Sequence, residues 1–571
     1  MRRSLKRTTA AAAGVAVAAI AVSSLVPGAS ADRRTTAHAA AAHVLLVGTW
    51  RGHKGQFKSI QRAVRAAKPG DWILVGPGDY HERADHGRSG RPRADDSGGG
   101  VYITKPHIHL RGVDRNKVVV DGAKPGTGKC PKSLKAQDYG PLGPDKKPLG
   151  RNGVEVYKAN GVSVENLTAC NFLDGSGGGG NEIWFNGGDG SGKIGMGPFR
   201  GAYLSATTTF FKKGAPAGAY GIFSSNSRGP GIFTRSYASN MDDSSFYVGA
   251  CRPDCNQVVD HVHAQGSTLG LSSTNVGGRL VVQNSEWDHN KTGMVTNSQN
   301  NDDAPEPQDG RCPPGHGPPS GGAQAPGANA SCTVWRGNFV HDNNTPNVPA
   351  SGTAGEGPIG TGMVIAGGRF DTIRNNRVED NGSWGILLIP YPDVGNPPPV
   401  AHCRGGVQTT VGGQTACYFD DWGNEVTANK LSGNGFFGND TNGDLAEISN
   451  PENPGNCWHG NTDTAGVTSE PAAIQTTHGT CGVPNSGDPL TSPLGAQVAC
   501  ATGFLQGLTA AFPPCPPGPT NYPKKTKVKL VPLPRETSMP NPCAGVPGNA
   551  WCAGGKPVKK RRAKTKAGNR A

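Results

Sequence analysis

From residue 237 onward an apolar residue is followed three positions later by Asn or Gln, and the pair recurs along the chain. The copies are Tyr237 and Asn240, Val262 and Gln265, Trp287 and Asn290, Val340 and Asn343, Val378 and Asn381, and Leu431 and Asn434. Each leads within a few residues into a short apolar strand. These are Phe246-Tyr247-Val248, Leu269-Gly270-Leu271, Met294-Val295, Met363-Val364-Ile365, Ile386-Leu387-Leu388-Ile389 and Phe436-Phe437. The intervals are 25, 25, 53, 38 and 53 residues, and the excess sits in Gly/Pro/Asn-rich insertions near 300–331, 345–360 and 391–422. Such a unit, with short strands and no helix, predicts one coil of a stacked β solenoid. Equivalent side chains on coils about 4.8 Å apart can form an amide ladder, which is the structural explanation of the Asn column; ligand binding is the other.

Upstream, Phe57, Ile60, Val64 and Ala67 fall on one face of a short helix, which Pro69-Gly70 ends. Trp72-Ile73-Leu74-Val75 then reads as a buried strand and Gly76-Pro77-Gly78 as a turn. A short amphipathic helix suits the open end of a stacked sheet, which must be covered. The predicted fold is all-β: a right-handed parallel β-helix from about residue 44 to about 450, with a short N-terminal capping helix. A loop-rich, cysteine-containing C-terminal region completes it.

Composition supports this. The chain has 571 residues, 35% of them hydrophobic, with 86 Gly and 47 Pro. A solenoid needs one short inward-facing set per coil and a turn at every corner, so this composition suits it. Residues 1–31 read as a signal peptide. Arg2, Arg3, Lys6 and Arg7 precede an Ala/Val/Ile-rich run, and Ala29-Ser30-Ala31 forms a small-residue cleavage site. A twin-arginine route and ordinary secretion both fit. The expected division is 32–450 for the β-helix with its cap, 451–552 for the cysteine- and proline-rich region, and 553–571 for a basic disordered tail. The signal supplies +4 and the tail +8 of the net +14, so the body is near neutral, and no nucleic-acid surface is indicated. Behind a signal peptide, the tail fits contact with an anionic cell-wall polymer, or plain solubilisation. No membrane span is expected in the mature chain, which is expected to be monomeric and secreted or cell-surface associated.

The fourteen cysteines, an even number, fit an oxidising compartment. Nearest-neighbour pairing gives Cys130–Cys170, Cys251–Cys255, Cys312–Cys332, Cys403–Cys417, Cys457–Cys481, Cys500–Cys515 and Cys543–Cys552. Cys312–Cys332 and Cys403–Cys417 would each close the base of an insertion.

Two stretches, the cap from Phe57 to Tyr80 and the coils from Gly231-Ile232-Phe233 to Phe437, resemble the pectin-lyase-like superfamily of right-handed β-helix proteins. With strands near 101–122 and 153–172, the resemblance spans roughly residues 44 to 450 and implies the fold. It implies no particular chemistry, because the superfamily's catalytic motifs are broken here. Polygalacturonases carry Asn-Thr-Asp, Asp-Asp, Gly-His-Gly and Arg-x-Lys in that order. This chain has Asp242-Asp243, then Gly315-His316-Gly317 in an insertion, Asn461-Thr462-Asp463 after both, and Arg562-Ala563-Lys564 in the tail. Val258-Val259-Asp260-His261 is similar to a pectate lyase motif without its Trp. The resemblance is to secreted bacterial members of unsettled activity.

Several constellations could carry chemistry. Asp242 and Asp243 are a carboxylate pair of the kind that splits acid and base roles in glycoside hydrolysis; a solvated turn would also select Asp. Asp288-His289, with Lys291 nearby, offers an acid/base cluster, against which stands His341-Asp342 at the matching place one coil on, as polar turn filling would give. Asp440, Asn442 and Asp444 alternate oxygen ligands in a manner suited to Ca²⁺ and equally to an ordinary turn. No other cofactor is indicated. Trp184, Asn186 and Asp189 mix an aromatic face with amide and acid, which suits sugar rings or a core strand entering a glycine loop. The expectation is a secreted protein that engages extracellular polysaccharide, as a lyase or glycoside hydrolase. The alternative is a non-catalytic adhesion or wall-structural protein. The insertions at 300–331 and 391–422 would rise from one edge and wall a cleft holding Asp242, Asp243, Asp288 and His289.

Overall fold

The structure, a computed structural model, describes residues 42–84, 98–188, 195–251, 254–298, 312, 331–393, 407–411, 414–452, 454–502 and 522–552. The signal segment, the basic tail, Asp189, most of the 300–331 insertion, Cys403 and Cys515 lie outside these residues.

The chain winds through three parallel sheets in turn. Sheet I has twelve strands, from Val44–Val47 to Cys457–His459; sheet II has ten, from Gly78–Tyr80 to Lys430–Ser432; sheet III has eleven, from Gly98–Ile103 to Ser469–Glu470. One coil runs Gly231–Thr234, Tyr237–Ser239, Ser244–Gly249, and the next Gln257–Asp260, His263–Gln265, Leu269–Thr274. Each strand pairs with its counterpart one coil on, which defines a parallel β-helix. All the sheet II strands but Val118–Asp121 have only three residues, so the middle one points inward. Ala238, Ala264, Trp287, Val340, Val378 and Leu431 stand in one register column, and all are buried. In sheet III the matching column is Phe246, Leu271, Met294, Met363, Ile386 and Leu445.

That register corrects the phase of the first two repeat copies. The inward residues at the strand centres are Ala238 and Ala264; Tyr237 faces outward, and Val262 reaches the core from the corner before its strand. Gln265 lies opposite Asp288 on the outward face, so it is no rung of the ladder. Tyr237 misleads because it is buried on the outside, where its hydroxyl donates to Gln265 Oε1 at 3.1 Å and its ring meets His263 edge-on. The last copy also shifts: Phe436-Phe437 forms a turn, and the sheet III strand of that coil is Gly443–Glu447.

From Trp287 on, the Asn column stacks as expected. Asn290 Nδ2 donates to Asn343 Oδ1 at 3.1 Å, Asn343 to Asn381 at 3.2 Å, and Asn381 to Asn434 at 3.1 Å. A second ladder, Asn338–Asn376–Asn429–Asn461, runs along the corner between sheets I and II. The first ladder requires glycine beside it. A Cβ on Gly293 would lie 2.4 Å from Gly362 O and 2.9 Å from Asn343 Nδ2, and Gly270, Gly362 and Gly385 repeat this geometry. The obstructing carbonyl belongs to a sheet strand and cannot swing away. Gly293→Ala is therefore expected to destabilise the fold by about 1–3 kcal/mol, read from the urea midpoint; an unchanged midpoint would show that the coils can part.

The capping helix is Ile60–Ala66, with Ser59 accepting from the Arg62 N–H and Ile60, Ala63 and Val64 buried. It does not open the fold, because strand Val44–Val47 precedes it and pairs with Trp72–Val75. Coil pairing continues past residue 450. Beyond it, helix Pro493–Thr502 lays Leu494, Val498 and Ala501 against Trp384, Leu387 and Ile448 on the outside of sheet III. The segment 522–552 then runs back along the solenoid. It contacts Asn347 through Thr526 and Lys529, Asn240 through Val531, Arg115 and Asn116 through Glu536, and Arg111 through Ala544. It ends with Trp551 packed on Trp50.

Five expected disulfides are present: Cys130–Cys170, Cys251–Cys255, Cys312–Cys332, Cys457–Cys481 and Cys543–Cys552. Cys417 and Cys500 are also disulfide-bonded, and their expected partners lie outside the described residues. The insertions at 300–331 and 391–422 follow strands Thr292–Asn297 and Trp384–Ile389. Both strands pair in register with Thr361–Ala366 between them, so both insertions leave the same edge of sheet III. Among the described residues no helix is long and apolar enough to cross a membrane.

Candidate functional site

The outward face of sheet III carries a column of Trp184, Phe223, Tyr247, Ser272, Val295 and Val364, one side chain per coil. Its aromatic end forms a cluster separate from the solenoid interior. Trp184 stacks on Phe223 at 5.2 Å, Tyr220 stacks on Phe223 at 4.5 Å, and Phe223 meets Tyr247 edge-on at 4.7 Å. Past Tyr247 the side chains become small and the face opens into a cavity of 240 Å³. Residues 354–358 wall it on one side and 389–392 on the other, with Val498 and Thr502 of the C-terminal helix closing over it. Two carboxyl groups, Asp243 and Glu356, line it together with Tyr220, Tyr247 and Asn297; no Lys, Arg or His does among the described residues.

Asp243 is there because its corner is one residue longer than the same corner in the next two coils, which pushes Asp242-Asp243 out of the repeat register. Its Oδ2 accepts from the Tyr220 hydroxyl at 3.0 Å and its Oδ1 from Ser244 at 2.5 Å. Asp242 faces the other way, buried, with Oδ2 accepting from Ser351 at 2.8 Å. Burial pushes its carboxyl up to about 7, the neighbouring Asp243 and Asp174 add to the rise, and the Ser351 hydrogen bond opposes it. Lys291 donates to Gly355 O; burial, reinforced by Lys525, pulls its ammonium down to about 8. Burial raises Glu356, and Lys291 opposes that rise. Of these three groups displaced toward neutrality, Glu356 lines the cavity, while Asp242 and Lys291 stand behind its wall.

Asp288 and His289 belong to a second cluster, with different partners, on the outward face of sheet II. Asp288 Oδ1 meets His263 Nε2 at 2.6 Å and its Oδ2 meets His289 Nδ1 at 2.5 Å. Burial works against its charge, but these two contacts outweigh it and hold the carboxyl far below its usual range. The structure therefore does not bring Asp242, Asp243, Asp288 and His289 together in one cleft: Asp242 and Asp243 lie in a corner between sheets II and III, with Asp243 on the cavity, whereas Asp288 ends a sheet II strand and is held by His263 and His289.

Trp184 is in the outward column, its Nε1 donating to Ser225 Oγ at 3.1 Å. Asn186 is buried and committed, donating to Glu155 and accepting from the Gly188 N–H. Asp444 accepts from Asn434 Nδ2 and from the Thr468 backbone and hydroxyl, Asn442 Oδ1 accepts from Asn439, and Asp440 is exposed. Tyr220, Tyr247 and Glu356 were not singled out from sequence. Tyr247 was accessible to it, since it stands one residue from the inward Phe246; Tyr220 stands two residues from the inward Ile222, where strand alternation alone would turn it to the core. Glu356 lies in an insertion, outside any periodicity.

No family model matches the chain, and no curated protein sequence matches it. Solved structures of similar architecture include the A-module of mannuronan C-5 epimerase AlgE4 from Azotobacter vinelandii, at 13% identity and TM-score 0.39, covering 70% of this chain and 88% of that one. An alginate lyase from Paenibacillus sp. FPU-7 is similar at 9% identity and TM-score 0.32 over 75% and 97% of the two chains. A tailspike protein double mutant of E. coli bacteriophage HK620, in complex with a pentasaccharide, is similar at 10% identity and TM-score 0.36 over 71% and 61%.

Proposed function

We propose that the protein is a secreted glycan-engaging β-helix that hydrolyses a neutral polysaccharide laid along the outward face of sheet III. What supports this is the pair of carboxyl groups, Asp243 and Glu356, on one cavity in different environments. Glu356, raised by burial, suits the acid that protonates a leaving oxygen. Asp243, with its hydroxyl donors, suits the base or nucleophile on the other side. Asp242 acts behind Asp243 as a positioning residue. Tyr220 and Tyr247, where the buried aromatic cluster meets the cavity, give a sugar ring an apolar edge, at a coil rise close to the length of one sugar residue. The lack of a cation among the described lining residues favours a neutral glycan over a polyuronate, whose carboxylates would meet two more carboxylates here. The disulfides fit an extracellular setting.

The test is a panel of neutral and uronate polysaccharides, scored for binding, for new reducing ends, and for the ultraviolet absorbance of unsaturated uronate. Reducing ends without unsaturation are expected. Asp243→Asn and Glu356→Gln should each lower turnover about a hundredfold while leaving binding within a few-fold. Unsaturated products would replace hydrolysis with elimination, and binding without any product would support the adhesion reading.

A further inference from the structure

We propose that the outward face of sheet II carries a site for one divalent transition-metal ion of zinc type, held by His263, Glu286, Asp288 and His341. Residues two apart on a strand share a face, and the register sets the four in a compact patch. His263 pairs with Glu286 across adjacent strands, and Asp288 with His341 across the next pair, so three consecutive coils contribute. The donor atoms of His263, Glu286 and Asp288 lie within 4.8 Å of one another. His341 Nε2 is 3.2 Å from Glu286 Oε1, which places a second imidazole nitrogen beside Glu286 at the edge of that trio. Two imidazoles and two carboxylates suit zinc in four-fold coordination, and they do not suit Ca²⁺ or Mg²⁺, which take six or more oxygens.

Two further features point to a ligand rather than to ion pairs alone. His341 Nδ1 contacts Asp342 Oδ2 at 2.8 Å, and the Asp288 oxygen that His263 does not use contacts His289 Nδ1 at 2.5 Å. These are outer carboxylate–imidazole contacts, which orient metal ligands and fix their tautomers. The patch also opens on a groove of 570 Å³ lined by His263, Glu286, Tyr237, Phe339, Arg115 and Glu536. The ion would enter from that groove, and the four side chains would then fill its coordination. The returning C-terminal segment forms part of the wall, Glu536 being paired to Arg115 at 3.2 Å. No residue of the patch lines the sheet III cavity, so this site stands or falls separately from the proposed glycan chemistry.

The experiment uses untagged full-length protein, stripped with chelator and titrated calorimetrically with Zn²⁺, then with Co²⁺ followed by its visible absorption. One ion per chain is expected, with a Co²⁺ spectrum of four-coordinate intensity and no competition from excess Ca²⁺. His263→Gln and Glu286→Gln should each weaken binding at least tenfold with an unchanged circular dichroism spectrum. Asp288→Asn should do the same; should it fail to fold, the other two variants decide. Asp243→Asn should bind the metal like wild type. His81→Gln is the second control, because Asp79, His81 and Asp121 form another close group near the cap. No binding by folded wild type, binding unaffected by His263→Gln and Glu286→Gln, or binding abolished by His81→Gln would each overturn the proposal.

Discussion

Asn343→Ala is expected to lower the stability of the fold by roughly 3–5 kcal/mol, well above the effect of an ordinary surface substitution. Asn343 is the middle of the first ladder, and its side chain makes four hydrogen bonds without water. It donates to Trp287 O at 3.0 Å and to Asn381 Oδ1, and accepts from both the N–H and the Nδ2 of Asn290. Asn290 is itself fully buried, so its backbone donor would be left without this acceptor in a place water does not reach. Chain polarisation along the ladder should make the loss larger than for an end rung. Urea denaturation of Asn343→Ala beside Asn434→Ala measures it, since Asn434 is the terminal rung and is half-buried. A midpoint shift for Asn343 no larger than that for Asn434 would mean that the rungs act independently.

The same ladder shows what could be read from sequence. Trp287, Val340, Val378 and Leu431 are apolar, point inward and precede Asn by three, so both the coil and its corner were legible from Trp287 onward. The second ladder is written in the sequence as well. Asn338, Asn376 and Asn429 each stand two residues before the same anchors Val340, Val378 and Leu431, and Ser285 holds that place before Trp287. Earlier coils were harder to phase because Ala238 and Ala264 carry little hydrophobic signal, while Tyr237 is buried from the outside. The cleft was harder still. The equivalence of the insertions after Thr292–Asn297 and Trp384–Ile389 was visible, because stacking makes equal positions neighbours. That Asp288 would be claimed by His263 was not, because the contact joins residues 25 positions apart across two coils. Glu356 owes its place to tertiary contacts of an insertion, which no period announces.

A third ladder yields a variant expected to gain stability. At the corner leading into sheet I, Asn456 Oδ1 accepts from both the N–H and the Nδ2 of Asn424, each at 3.0 Å. The rung before Asn424 is Asp371, whose N–H donates to Asn424 Oδ1 at 2.8 Å. Its Oδ1 accepts from Ser331 Oγ and from the Thr333 N–H, both at 2.6 Å, while its buried Oδ2 has no hydrogen-bond partner among the described residues. Burial pushes this carboxyl up to about 7, against the hydrogen bonds from Ser331 and Thr333. The folded chain therefore holds the proton more tightly than the unfolded one. Stability on this account is fully present below the unfolded value near 4 and is lost as pH rises toward and through 7. A rise of this size corresponds to a loss on the order of 4 kcal/mol at alkaline pH. Asp371→Asn keeps the acceptor, puts an amide donor where Oδ2 stands, and removes the titration. The variant should exceed wild type in urea midpoint at pH 8, with a much smaller margin at pH 5. Asp242 is also raised to about 7 and tilts both proteins alike, so it cancels in the difference. A margin equal at the two pH values would mean that Asp371 does not hold a proton in the folded chain, and a variant less stable at pH 8 would mean that the corner has no room for the amide.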